Sequence, residues 1–177
     1  LTGFFLLVYG YRPIGLNRGV YKMNYEFLKV LHVFSVCGMI GATLCNGLLH
    51  SVVNKSGLTS AAVVTLSNIM KINKTLMGPS LVIIVLTGGY LVSTIGYSLS
   101  NIWLQLSIIL TFLLIVAFIF GYYMEEKLEK IALIASAKNN ELLPKMYKRL
   151  FFRILPIGFG AALISIFILY LMFFKPL

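Results

Sequence analysis

Charge is scarce in this sequence, and acidic charge scarcer still. Only 11% of the 177 residues are charged, five of them acidic against fifteen basic, while 59% are hydrophobic. A soluble globular domain could not hide that much apolar surface. The four longest apolar runs contain no carboxylate: Glu26 stands at the edge of the first, and the other four acids lie in the segment before the last. Ion- and proton-coupled carriers place ionisable groups inside the membrane, so this shortage argues against a carrier. Cysteine is equally thin. Cys37 and Cys45 are turned ~80° from one another on an α-helix, which excludes a local disulfide and a tight thiolate pair. They are expected to be buried and to act as small hydrophobes. No phosphate-binding loop, metallohydrolase motif or nucleophile–base–acid set occurs, which removes soluble-type hydrolases.

What the chain does have is four apolar runs, Phe27–Leu49, Leu76–Ser98, Ile102–Met124 and Ile154–Phe174. Each matches the ~20 residues that cross a bilayer as an α-helix. Helices follow because backbone amides in hydrocarbon must be satisfied within their own segment, and these runs lack the strand-wise alternation of a β-barrel. The expected fold is all-α, an integral membrane four-helix bundle over residues 23–177. Its connections are too short to fold separately.

The net charge of +10 describes topology rather than nucleic-acid binding. Lys55, Lys71 and Lys74 separate spans one and two. Lys127, Lys130, Lys138, Lys145, Lys148, Arg149 and Arg153 separate spans three and four, whereas Tyr97–Asn101 carries no basic residue. Basic loops stay in the cytoplasm, so both termini are expected outside it. Basic loops also favour anionic lipid headgroups. No basic groove with interleaved aromatics appears, so nucleic acid is not an expected partner.

Residues 1–22 fit this scheme poorly, because they hold Arg12, Arg18 and Lys22 with no acid and would lie outside. They are expected to be an upstream or non-native extension, with Met23 as the natural start. The first span is too long for a signal-peptide core and is followed by no small-x-small cleavage site. Asn54-Lys55-Ser56 and Asn73-Lys74-Thr75 match glycosylation acceptors by chance, on the wrong side of the membrane.

Small residues organise the spans. Gly38 and Ala42, and Gly158 and Ala162, form small-x-x-x-small pairs that let helix backbones approach, within one chain or between two copies. Gly88-Gly89 is expected to admit a neighbouring helix. Pro79 and Pro156 are expected near helix starts, where a missing N–H costs little. The segment 125–153 should continue span three as an amphipathic helix, break at Asn139-Asn140 and restart near Pro144, with Glu126 and Lys130 paired one turn apart. Trp103 is expected as an anchor at the outer interface.

Candidate chemistry rests on two histidines. His32 lies inside the first span and His50 at its cytoplasmic end, ~27 Å apart along one helix, too far to share a metal ion. Intramembrane histidine raises a functional hypothesis, so His32 is the candidate site residue. One imidazole suffices for an axial haem ligand. The alternative is a hydrogen bond across the bundle, with Gln105, Ser107 and Thr111 of span three as expected partners. His50 reads as an interfacial residue.

The runs Leu28-Lys29-Val30-Leu31-His32-Val33, Gly78-Pro79, Thr87-Gly88-Gly89-Tyr90-Leu91 and Leu99-Ser100-Asn101-Ile102-Trp103-Leu104 resemble the bacterial integral membrane proteins of domain of unknown function 2269. The resemblance covers roughly residues 24–135 and, more weakly, the fourth span, and it brings no established activity. The Leu-His opening and Trp103-Leu104 also look distantly like the four-helix membrane protoporphyrinogen oxidases and the copper-resistance D family. In the oxidases the first-span histidine and a lysine after Trp-Leu are associated with haem; here His32 matches, while Ser107 stands where that lysine would fall. Cys45-Asn46-Gly47 likewise occupies the region of an expected arginine. The leading expectation is a bacterial inner-membrane assembly, interaction or accessory subunit, meeting the lipid bilayer and a second copy or another membrane protein. The alternatives are a haem-binding redox protein ligated by His32 with Gly88-Gly89 making room for the macrocycle, and copper handling through His32, Cys37 and Met39.

Overall fold

The computed structural model describes residues 18–95 and 98–175, with side chains over 24–94 and 98–175. The expectation for residues 1–22 falls mostly outside them. Five helices account for nearly all of the described chain: α1 (Arg18–Ser56), α2 (Thr59–Ile72), α3 (Gly78–Ile95), α4 (Ile102–Ala137) and α5 (Lys145–Phe174). A π-helical turn, Asn73–Met77, joins α2 to α3 without a break. Four rods therefore run side by side, and each is long and apolar enough to cross a membrane. The all-α four-span bundle expected from the sequence is the fold observed.

The rods are longer than the bilayer requires. At ~1.5 Å per residue, the 39 residues of α1 and the 36 of α4 reach ~58 and ~54 Å, against a hydrocarbon thickness of ~30 Å. The excess of α4 lies at the lysine-rich end, whereas α1 overshoots its span at both ends. The chain between spans one and two is accordingly helical, turning only at Gly57 and Leu58, where Gly57 takes the left-handed φ of +63° that glycine adopts without strain. Span three continues to Ala137 and stops at Asn139, whose φ is +54°, and α5 restarts after Pro144 in extended conformation. The break and restart fall where Asn139-Asn140 and Pro144 place them. The two lysine-rich connections are tied together: Thr59 N–H donates to Glu141 O (2.9 Å) and Leu143 N–H to Gly57 O (3.0 Å). Both connections therefore lie at one end of the bundle, as the charge pattern requires.

Packing is tightest at that end. Leu66, Ile69, Leu128 and Ala132 are fully buried and meet Tyr147 and Phe151 of α5. In the membrane portion α1 packs on α3 and α4 packs on α5, whereas α1 and α5 meet only lightly. Lipid covers what remains: Phe34 is 77% exposed and Phe173 78%, on outward faces that are mostly apolar.

Several local expectations are corrected. Pro79 lies inside the continuous α2–α3 rod, just after the π turn, and Pro156 lies eleven residues into α5. Pro79 is the second residue of α3, near that helix's start as expected, whereas Pro156 removes a mid-helix donor, which membrane helices tolerate when neighbours re-satisfy the freed carbonyl. Cys37 and Cys45 are free and exposed on the outer face of α1 rather than buried. Trp103 is 7% exposed and packs against Leu104 and Leu171, with Lys175 Nζ 5.9 Å from its ring centroid, so it sits inside the bundle and not at its surface. The two small-residue pairs differ. A Cβ at Gly38 would lie 3.0 Å from Ser80 Oγ and Ala42 is 1% exposed, so this pair brings α1 onto α3. A Cβ at Gly158 would meet nothing within 4 Å, so the second pair leaves space instead.

Candidate functional site

The space beside Gly158 belongs to a cavity of about 510 Å³ between the α1–α3 pair and the α4–α5 pair. Its walls are apolar, with Met39, Met77, Leu81, Leu114 and Phe118 among them. At the lysine-rich end its floor changes character. Asn46 and His50 of α1, Asn73 of the π turn and Glu125 of α4 all line it. Each is more than nine-tenths buried.

The four side chains form one hydrogen-bonded chain. Asn46 Nδ2 donates to Asn73 Oδ1 (2.7 Å), Asn73 Nδ2 donates to Glu125 Oε2, and Glu125 Oε1 lies 3.2 Å from His50 Nε2. The ring of His50 also packs against Phe151 of α5, with centroids 5.7 Å apart. All four rods therefore meet at this point. Local backbone geometry sets it up. Asn46 and His50 are one turn apart and share a face of α1. At the π turn the Gly78 N–H reaches back five residues to Asn73 O, and Asn73 is turned inward to 3% exposure. Such turns are rare and recur at functional sites. A buried residue at 73 also removes the apparent glycosylation acceptor there.

Two sequence expectations change here. His50 stands at the end of the first span as expected, but it faces the bundle rather than the headgroups, since it is 8% exposed and meets a carboxylate. Glu125 is not part of a solvated connector, because the first residue past the third span turns into the bundle. Asn46 and Asn73 carried no functional expectation. Asn46 and His50 recurring at i, i+4 on one face, with Glu125 at the matching end of span three, is the signal that was there to find.

His32 lies elsewhere. Its Nδ1 is 2.8 Å from Thr87 Oγ1 of α3. Thr87 gives its own proton to Ile83 O, so it accepts from His32 Nδ1–H, which leaves Nε2 as the unprotonated nitrogen. A bond across the bundle is thus found, but to span two. The expected partners in span three are otherwise engaged: Ser107 donates to Trp103 O, Thr111 donates to Ser107 O, and Gln105 is exposed. Gly88 does admit its neighbour α1, through the imidazole itself: a Cβ there would lie 3.2 Å from His32 Cε1. That room is filled by His32, and His32 does not line the cavity. Cys37 is exposed whereas Met39 is buried on another face, so the structure does not gather them with His32. Among the described residues, no three His, Cys, Asp or Glu side chains cluster as metal ligands do.

A family of predicted integral membrane proteins, DUF2269, matches residues 26–176. The chain belongs to that family. The DUF2269 match takes in all four spans, and so reaches further than the motifs near residues 24–135 on which the resemblance rests. It covers Asn46, His50, Asn73 and Glu125 as well as His32. No curated protein and no solved structure matches the chain.

Proposed function

We propose that this is an accessory protein of the bacterial inner membrane that works by binding: it takes an apolar molecule from the surrounding lipid into the cavity. The observation that carries the proposal is a polar quartet at the floor of an otherwise apolar chamber. Few polar groups at the end of an apolar pocket of ~300–1,000 Å³ is the composition of small-molecule sites. An entrance supports the same view. Leu48 and Phe159 line the cavity and are nonetheless 71% and 68% exposed, on α1 and α5. These two helices touch only lightly, so the chamber opens sideways toward lipid. The lysine-rich end faces the cytoplasm by the positive-inside rule, and an inner membrane is the natural home of apolar α-helical spans. An accessory protein of this kind would deliver or hold its ligand for a second copy or another membrane protein.

The test is extraction of the purified protein and identification of apolar molecules that travel with it in stoichiometric amount. Wild-type protein should carry one, and Gly158→Leu, which fills the cavity beside the entrance, should not. Equal amounts in both proteins would refute the proposal.

A second reading rests on His32. Its Nδ1–H bond to Thr87 fixes the tautomer and presents Nε2, the arrangement second-shell partners give to metal-bound histidine. Haem would supply redox chemistry through that ligand. The space Gly88 provides is taken by the imidazole itself. A reduced-minus-oxidised spectrum of protein produced with ample haem, beside His32→Ala, decides it: a signal lost in the variant supports ligation, and a colourless folded protein ends this reading.

A further inference from the structure

The floor of the cavity has no seat for a charged head group. Asn46, Asn73 and Glu125 spend their facing atoms on one another and on His50, while Asn46 Oδ1 and His50 Nδ1 are buried out of reach. Among the described lining residues there is no Lys or Arg, and Glu125 is the one acid. What enters is therefore hydrocarbon. An apolar cavity of about 150 Å³ accepts one benzene, so about 510 Å³ holds roughly 20 carbons, which is one acyl chain and not two. A chain drawn in from the bilayer keeps its head outside, so the mouth must suit that head.

The mouth is bordered by one edge of α1 and one edge of α5. Leu44 and Leu48 on α1, and Leu155 and Phe159 on α5, line the cavity while each is more than half exposed. Followed toward the lysine-rich end, each edge finishes in a lysine. Lys55 comes seven residues after Leu48, and Lys148 seven residues before Leu155. Seven residues make two turns less ~20°, so each lysine stands in line with its leucine and ~10 Å nearer the cytoplasm. That is the step from hydrocarbon into the head-group layer. Both lysines are exposed, and neither makes an ion pair among the described residues. No acid of their own helices opposes them, since α5 has none and the one in α1, Glu26, lies toward its other end. Glu141, in the connection beside Gly57, pairs with neither.

We infer that the cavity takes one chain of an anionic phospholipid from the cytoplasmic leaflet, with the phosphate held at the mouth by Lys55 and Lys148. The inference rests on the binding function proposed above and adds the head-group class and the leaflet. A zwitterionic lipid carries an ammonium that the two lysines repel. The pair therefore selects for net negative charge.

Lipid retention tests it. Purified protein is equilibrated in nanodiscs of equimolar dioleoylphosphatidylglycerol and dioleoylphosphatidylcholine, extracted in mild detergent, and its bound lipid counted by native mass spectrometry. Wild-type protein should hold one lipid, with phosphatidylglycerol favoured by about tenfold. Lys55→Gln with Lys148→Gln should hold one lipid without that preference. Lys71→Gln with Lys138→Gln removes as much charge from the same end but away from the mouth, and should keep it. The wild-type comparison stands whatever a variant does to folding. Equal retention of the two lipids by wild type, a preference kept without Lys55 and Lys148, or an equal loss in both lysine pairs would overturn the head-group assignment and leave the binding function intact; no lipid on wild type would overturn both. Glycerol phosphate, a head without a chain, should not release the bound lipid. Release beyond that caused by chloride at equal ionic strength would assign the lysines to a free anion and overturn the lipid.

Discussion

Replacing Glu125 by Ala should destabilise the bundle far more than an edge-of-membrane residue ordinarily does. The side chain is 8% exposed and accepts from Asn73 Nδ2 while facing His50 Nε2. Truncation leaves both of those groups buried and unmatched. Removing one member of a buried pair costs ~3–5 kcal/mol, whereas surface substitutions stay within ~0.5 kcal/mol. Glu125→Gln retains an acceptor for Asn73 but sets an amide against His50, and should cost less, about 1–3 kcal/mol. The partners are coupled, so Glu125→Ala with His50→Leu should cost less than the sum of the two, by ~0.5–3 kcal/mol. Unfolding in mild detergent, followed by helical circular dichroism against a denaturing detergent, reads each value. A Glu125→Ala protein within ~0.5 kcal/mol of wild type, or strictly additive effects in the double variant, would refute the quartet as a connected buried network.

The glycines give an opposed pair of outcomes. Gly38→Leu should destabilise by ~1–3 kcal/mol, because a Cβ there already meets Ser80 Oγ at 3.0 Å. Gly158→Leu should be neutral, or more stable by up to ~1 kcal/mol through helix propensity, since nothing lies within 4 Å; thermal midpoints of the two compare them directly. The Glu126–Lys130 pair, 2.7 Å apart and solvent-exposed, should matter little to stability. Lys130 holds the Glu126 carboxyl below its ordinary value through a hydrogen bond and its charge. Any stabilisation it adds is therefore present above the unfolded carboxyl pKa and lost as pH falls through the folded one. Lys130→Ala should raise the Glu126 titration midpoint, measured by carboxyl NMR, and leave the unfolding midpoint at pH 7 unchanged.

The spans were legible because hydrocarbon permits few backbone solutions, and the charge pattern grouped the two lysine-rich connections at one end of the bundle. The helix break at Asn139 and the restart at Pro144 were legible for the same local reason: those residues favour conformations a helix cannot continue. What pattern could not supply was depth and facing. Nothing in Asn73-Lys74-Thr75 announces a π turn, so the inward turn of Asn73 was hidden in a glycosylation-like string. Glu125 stands beside Glu126, and adjacent residues on a helix point ~100° apart, so one meets His50 and the other meets Lys130. Counting both as connector charge merged a buried acid with a solvated one. His32 was prominent as the histidine deepest in a span, yet the cavity formed around the other one. Pro156 was misplaced because the apolar run starts at Ile154 while the helix starts nine residues earlier.

A structure determined experimentally in lipid nanodiscs, at a resolution that shows bound lipid, addresses the central claim most directly. The account predicts an elongated density that passes between Leu48 and Phe159 and ends at Asn46 and His50. Helices α1 and α5 closed against each other, with the floor residues satisfied by water or by one another and no chain between them, would contradict it.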